Sequence, residues 1–155
     1  VYKVDRQGNR PGKSGQETKF DILKKIRIVN NVVFITATVG GKELDFCLDT
    51  GAESNLLHTG IPKQAMNCIN ITRRSALQGS GSNQGEILLG TLTEFTFGTK
   101  QLGPMETAVC NLHAMSSKYG FPIDGMLGYD FFMKGKIFLN LVRKEIGISL
   151  TAEGK

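Results

Sequence analysis

Two alternating runs joined by Gly40-Gly41 constrain this chain more than any other feature. Residues 31–39 read NVVFITATV and residues 42–48 read KELDFCL. β-Branched and aromatic side chains suit a pleated, half-buried surface. Successive strand side chains point to opposite faces. Leu44, Phe46 and Leu48 therefore share one face, and Asp45 and Cys47 the other. A glycine pair between such runs predicts a tight hairpin, because the favoured two-residue turn needs positive φ at both centres. The return strand ends on Asp49, followed by Thr50-Gly51-Ala52 and then Asn55-Leu56-Leu57. A carboxylate with apolar approaches on both sides is more than a solvent-facing turn requires. An Asx-turn or cap, a metal ligand and a catalytic group all fit the local residues.

The rest of the chain reads as strands, turns and short helices. Residues 1–19 are polar and glycine-rich and predict a flexible arm, leaving 20–155 as a single domain. IPKQAMNC, 61–68, predicts a short helix with Pro62 in its first turn. LQGSGSNQGE, 77–86, predicts a pliable tip. In the next segment Ile87, Leu89, Thr91, Thr93, Phe95 and Phe97 fall on one side and predict one long strand, bent at Gly90. METAVCNL is a further strand and SSKYGFP a loop. Within IDGMLGYDFF, Asp130 is placed to cap a short helical turn. KIFLNL and EIGISL close as a hairpin about VRKE. The expected class is all-β, a closed or partly closed barrel with one or two short helices.

Composition excludes several functions. With 155 residues, 40% of them hydrophobic, the chain builds one core. The net charge of +5 rests on short, scattered clusters, LKKIR, TRR and VRKE, which read as solvated surface. No arginine-rich helix or aromatic–basic interleaving points to nucleic acid, and no apolar run reaches the length of a membrane span. Cys47, Cys68 and Cys110 match no metal-binding spacing, and His58 and His113 are too few and too far apart for zinc. No metal or cofactor is expected. Cys47 and Cys110 read as small buried hydrophobes, with a disulfide between any pair left open. GSGSNQG, 79–85, lacks the Lys-Ser or Lys-Thr of a phosphate loop. The chain opens VYKVDRQGNR, without Met or an apolar leader. It is expected to be a soluble domain, processed or excised from a longer precursor, with its compartment open.

FCLDTGAESNLL resembles the active-site signature of aspartic proteases, above all of the retropepsin-like (retroviral-type) branch. IDGMLGYDFF, 123–132, resembles the second mark of that branch, and the interval between the two looks right for its cellular and bacterial members. The resemblance covers residues 30–150, so the barrel it implies is retropepsin-like and active as a two-fold dimer. Asp49 then matches the catalytic aspartate. Thr50 matches the residue whose hydroxyl links the two active-site loops across the axis. Gly51 matches the glycine that contacts the carboxylate or the substrate, and Ala52 the small residue beside it. Gly125 and Gly128 fall in the stretch that supports the loop from behind. Glu53 stands where viral members often carry Asp, near the substrate backbone. Gly79, Ser80, Gly81, Ser82 and Asn83 fall at the flap tip, over the substrate.

The chain holds a single Asp-Thr-Gly. The IDG at 123–125 lacks the hydroxyl residue and occupies the supporting position. The mechanism of the family needs two carboxylates sharing a proton, so the resemblance implies a homodimer acting on peptide or protein substrates. KKIRIV and GISLTAEGK are the segments expected to knit the dimer. Two alternatives remain: a non-catalytic peptide- or partner-binding domain with the protease fold, and an oligomeric β-barrel binding protein with a chance Asp-Thr-Gly.

Overall fold

The computed structural model describes residues 2–5, 19–76 and 85–151. In chain order the strands are β1 (Tyr2–Asp5), β2 (Ile22–Lys25), β3 (Arg27–Val29), β4 (Val32–Val39), β5 (Lys42–Leu48), β6 (Asn55–His58), β7 (Ile69–Ala76), β8 (Glu86–Leu92), β9 (Thr96–Phe97), β10 (Lys100–Gln101), β11 (Met105–Cys110), β12 (Gly125–Leu127), β13 (Gly135–Asn140) and β14 (Glu145–Leu150). Three short helices intervene: α1 (Lys63–Met66), α2 (His113–Tyr119) and α3 (Tyr129–Phe132). None is long and apolar enough to cross a membrane.

The leading hairpin forms as its alternation requires. β4 and β5 pair antiparallel from Phe34 opposite Cys47 to Val39 opposite Lys42. Gly40 and Gly41 turn with φ of 60° and 80°. Leu44 and Phe46 enter the main core with Ile35, Ala37 and Val39, and Leu48 packs against it. Cys47 points the other way, into a second cluster with Phe34, Leu112, Ile123 and Met126. Both faces of the strand that delivers Asp49 are therefore covered, which accounts for its apolar approach.

The larger sheet has the order β10-β9-β4-β5-β12-β6-β11-β8-β7, with β3 paired to β4. It is mixed and curls into a half-barrel. β5 and β6 follow one another in sequence on either side of the Asp49 turn, yet they do not pair. β12 lies between them, parallel to β5 and antiparallel to β6. The insertion is tight: a Cβ on Gly125 would lie 2.6 Å from the Phe46 ring and 2.7 Å from the Leu56 carbonyl oxygen. The smaller sheet runs β1-β13-β14-β2. There β14 has β13 on one edge and β2 on the other. The GISL segment thus already has neighbours from its own chain on both sides.

Other expectations are corrected. Among the described residues there are three short helices rather than one or two, because residues expected as a loop around SSKY form α2. Gly120 is a left-handed helix cap with φ 84°, and its N–H and that of Phe121 return to the Ser116 carbonyl. Asp130 is not a cap. It lies in the first turn of α3, whose cap residue is Gly128, with no side-chain capping bond. β8 ends at Leu92 and turns its other side inward: Leu88 and Leu92 meet the core, not Ile87 and Leu89. Ile87, Leu88 and Leu89 are all apolar, so alternation could not choose the face. Beyond the strand, the Gln101 side-chain carbonyl takes the Phe95 N–H at 2.7 Å.

Candidate active site

Asp49 is held by the strand inserted beside it. Its backbone N–H donates to the Leu127 carbonyl at 2.9 Å. The Ala52 N–H donates to the Asp49 carbonyl at 3.1 Å, closing the turn, and the Tyr129 N–H donates to the Ala52 carbonyl at 2.9 Å. The Gly128 N–H donates to Oδ1 of buried Asn55 at 2.8 Å. A Cβ on Gly128 would stand 2.5 Å from the Ala52 oxygen. Gly125 and Gly128 thus lie against β5, β6 and the Asp49 turn, where backbones approach too closely for a side chain.

The Asp49 side chain is half-buried. Oδ1 accepts the Gly51 N–H at 2.9 Å, an Asx-type contact within its own turn. Among the described residues, Oδ2 has no hydrogen-bond partner and the carboxylate forms no ion pair. Thr50, Gly51 and Glu53 are exposed. The Thr50 hydroxyl and the Glu53 carboxylate likewise find no partner among the described residues. One carboxylate oxygen fixes the turn while the other is left without a partner among the described residues, as an acid or base acting on another molecule requires. Residues 79–83, expected at a flap tip, lie outside the described residues.

α2 brings a residue to this site that the sequence did not announce. Its first turn is pinned where His58 Nδ1 accepts the Leu112 N–H at 3.0 Å. Its end is pinned where Asn30 Nδ2 donates to the Tyr119 carbonyl at 2.8 Å. Tyr119 packs on the second cluster with Ala52 and Leu56. Burial raises its phenol pKa, and the charges of Cys47 and Asp49 raise it further. The phenol therefore stays protonated and lies within the field of Asp49. Cys47, two residues before Asp49, is pushed up to about 11, by burial first and Asp49 second. It is a buried, protonated thiol. All three cysteines are free, which closes the question of a disulfide. No group of three or more His, Cys, Asp or Glu side chains suited to a metal ion gathers among the described residues.

Comparison with known proteins points one way. A family described as aspartyl protease matches residues 35–131. A retropepsin-like aspartic protease from Rickettsia conorii superposes with a TM-score of 0.51 at 18% identity, covering 81% of this chain and 95% of that one. The retroviral protease-like domain of Ddi1 from Leishmania major gives 0.53 at 12% identity, covering 83% and 99%. At such identities the two structures establish a shared fold. No curated protein matches by sequence.

Proposed function

The chain belongs to the aspartyl protease family, and we propose that two copies of it form an aspartic endopeptidase. The observation that carries this is the state of Asp49: oriented through Oδ1 by Gly51, with Oδ2 unpartnered among the described residues, in a chain with one Asp-Thr-Gly. A single carboxylate does not hydrolyse a peptide by this chemistry. Two Asp49 side chains meeting on a two-fold axis do, because like charges so close cannot both ionise and the pair keeps one proton. The titration belongs to the pair rather than to either residue.

In this assembly a water lies between the carboxylates. The ionised Asp49 takes its proton as the water attacks the peptide carbonyl. The protonated Asp49 gives its proton to the carbonyl oxygen, and a later transfer releases the amine. Thr50 of each copy braces the opposite loop, Gly51 and Ala52 leave room for the substrate backbone, and Glu53 contacts it. Gly125 and Gly128 back the loop. Gly79, Ser80, Gly81, Ser82 and Asn83, which lie outside the described residues, are assigned to substrate contact on the family resemblance.

The test is incubation with an unstructured protein from acidic to neutral pH, with and without a statine-type transition-state mimic, beside Asp49→Asn. Cleavage by the wild type, blocked by the mimic and absent in the variant, is expected. Cleavage that survives Asp49→Asn would overturn the assignment. A wild type that binds the mimic without cleaving would be a peptide-binding domain instead.

A further inference from the structure

Residues directly opposite one another in a ladder present their side chains to the same face. The registers therefore trace one continuous row across six strands. Cys47 is opposite Met126, Met126 opposite Leu56, Leu56 opposite Ala108, Ala108 opposite Leu89, and Leu89 opposite Arg73. The row starts two residues before Asp49, on the face of the second cluster. It runs apolar for five strands and ends in a guanidinium.

Arg73 is on this face because of a local irregularity. The pairing of β7 with β8 shifts between Ile71 and Arg73, leaving Thr72 as an extra residue. Without that bulge Arg73 would share the core-side face of Ile69 and Ile71. With it, Arg73 turns to the side of Leu89, the way a bulge re-aims a side chain. The adjacent Arg74 is already engaged with Glu86 at 3.0 Å. Arg73 forms no ion pair among the described residues. It borders a cavity of about 330 Å³ with Ser54, Leu89, Glu106 and Ala108. Ser54 belongs to the stretch joining Asp49 to β6, so the cavity borders the segment that leaves the Asp49 turn. Glu106 borders it as well, and its charge acts on Asp130. An acidic group seated near Glu106 is repelled, which leaves the Arg73 end as its place.

We propose that the cavity at the outer end of this row is a distal substrate subsite and that Arg73 selects peptides carrying an acidic side chain there. The proposal rests on the endopeptidase assignment and names its substrate class. Strands lie about 4.8 Å apart and an extended peptide advances about 3.3 Å per residue, so across five strand spacings, less the reach of the arginine, the acid falls about five to seven residues from the scissile bond.

The experiment compares peptides identical except for Glu, Gln or Lys at those positions around an apolar–apolar bond. For the wild type kcat/KM is expected to favour Glu over Gln by about three- to fivefold, the size an exposed ion pair supports, with the preference shrinking as salt is added. Arg73→Gln should erase the preference, Arg73→Glu should turn it toward Lys, and Arg73→Lys should keep it in weaker form. An order of peptides unchanged in Arg73→Glu overturns the proposal. A second measurement needs no turnover: the same peptides with a reduced scissile bond are titrated into ¹⁵N-labelled protein. The Arg73 Nε–Hε resonance, identified by its loss in Arg73→Lys, is expected to move with the Glu peptide far more than with Gln or Lys. Equal movement with all three overturns the subsite. Absent cleavage with selective movement overturns the endopeptidase assignment alone.

Discussion

The Asn55 side chain holds the Gly128 N–H at 2.8 Å, across 73 residues of sequence. Asn55 is only 1% exposed. Its amide also donates to Met105 Sδ at 3.4 Å. One buried side chain therefore ties the strand leaving the Asp49 turn to the strand that supports it. Replacing Asn55 with Leu strands a buried N–H and is expected to cost about 1–3 kcal/mol. Urea unfolding should show the loss, and it should exceed that of an exposed Asn70→Leu control by most of this amount.

Gly128 makes a sharper case. Its missing Cβ would meet both the Ala52 oxygen at 2.5 Å and the Ala52 Cβ at 2.8 Å. Gly128→Ala is expected to destabilise by about 1–3 kcal/mol, as overpacking does. Ala52→Gly removes only the second contact. The double variant should therefore recover part of the loss and not all of it, which a thermal or urea double-mutant cycle measures.

Cys47 predicts an alkaline limb. Burial pushes its thiol up to about 11 in the fold, from an ordinary value of 9.0. The folded state thus keeps a proton that the unfolded chain gives up. Its contribution is complete below about pH 9 and is lost as pH rises through about 11, about 3 kcal/mol in all. Cys47→Val should flatten that part of the stability profile between pH 9 and 11. Some slope should remain, because Cys68 and Cys110 are shifted the same way.

Tyr119 bears on the acid side. The charge of Asp49 raises the Tyr119 phenol, so the two groups sense one another. A hydroxyl dipole turned toward a carboxylate favours its ionised form. Tyr119→Phe keeps the packing and removes that hydroxyl, so, on the endopeptidase assignment, the acid limb of kcat/KM should move up. A superimposable pH profile would show that the phenol does not act on Asp49.

Dimer formation has a visible patch to test. Tyr129 and Met133, one helical turn apart at α3, are 56% and 55% exposed, and the Tyr129 N–H is bonded to Ala52 in the Asp49 turn. Met133→Glu is expected to raise the dimer dissociation constant at least tenfold, by sedimentation velocity across a concentration series. An unchanged association would move the seam elsewhere.

How much of this was legible depended on whether one signal had one meaning. The β4–β5 hairpin was readable because a clean alternation and a glycine pair agreed. Asp49 and its supporting stretch were readable as two motifs, and the bonds from Leu127, Gly128 and Tyr129 to the Asp49–Asn55 segment show why the two occur together. α2 was hidden because Gly120 marks a turn in sequence but caps a helix in the fold. The inward face of β8 was hidden by apolar residues on both sides. β7 was passed over as the solvated cluster TRR, and its bulge, which decides where Arg73 points, leaves no pattern in a single sequence.

The position of β12 carries a consequence in time. The wall that fixes Asp49 is supplied by residues 125–129, long after the aspartate itself in the chain. Contacts between such distant segments form late, because a long loop must close first. During synthesis, the carboxylate leaves the ribosome well before the backbone that orients it. A chain built in this order sets the Asp49 turn in its final form only when nearly the whole domain has been made.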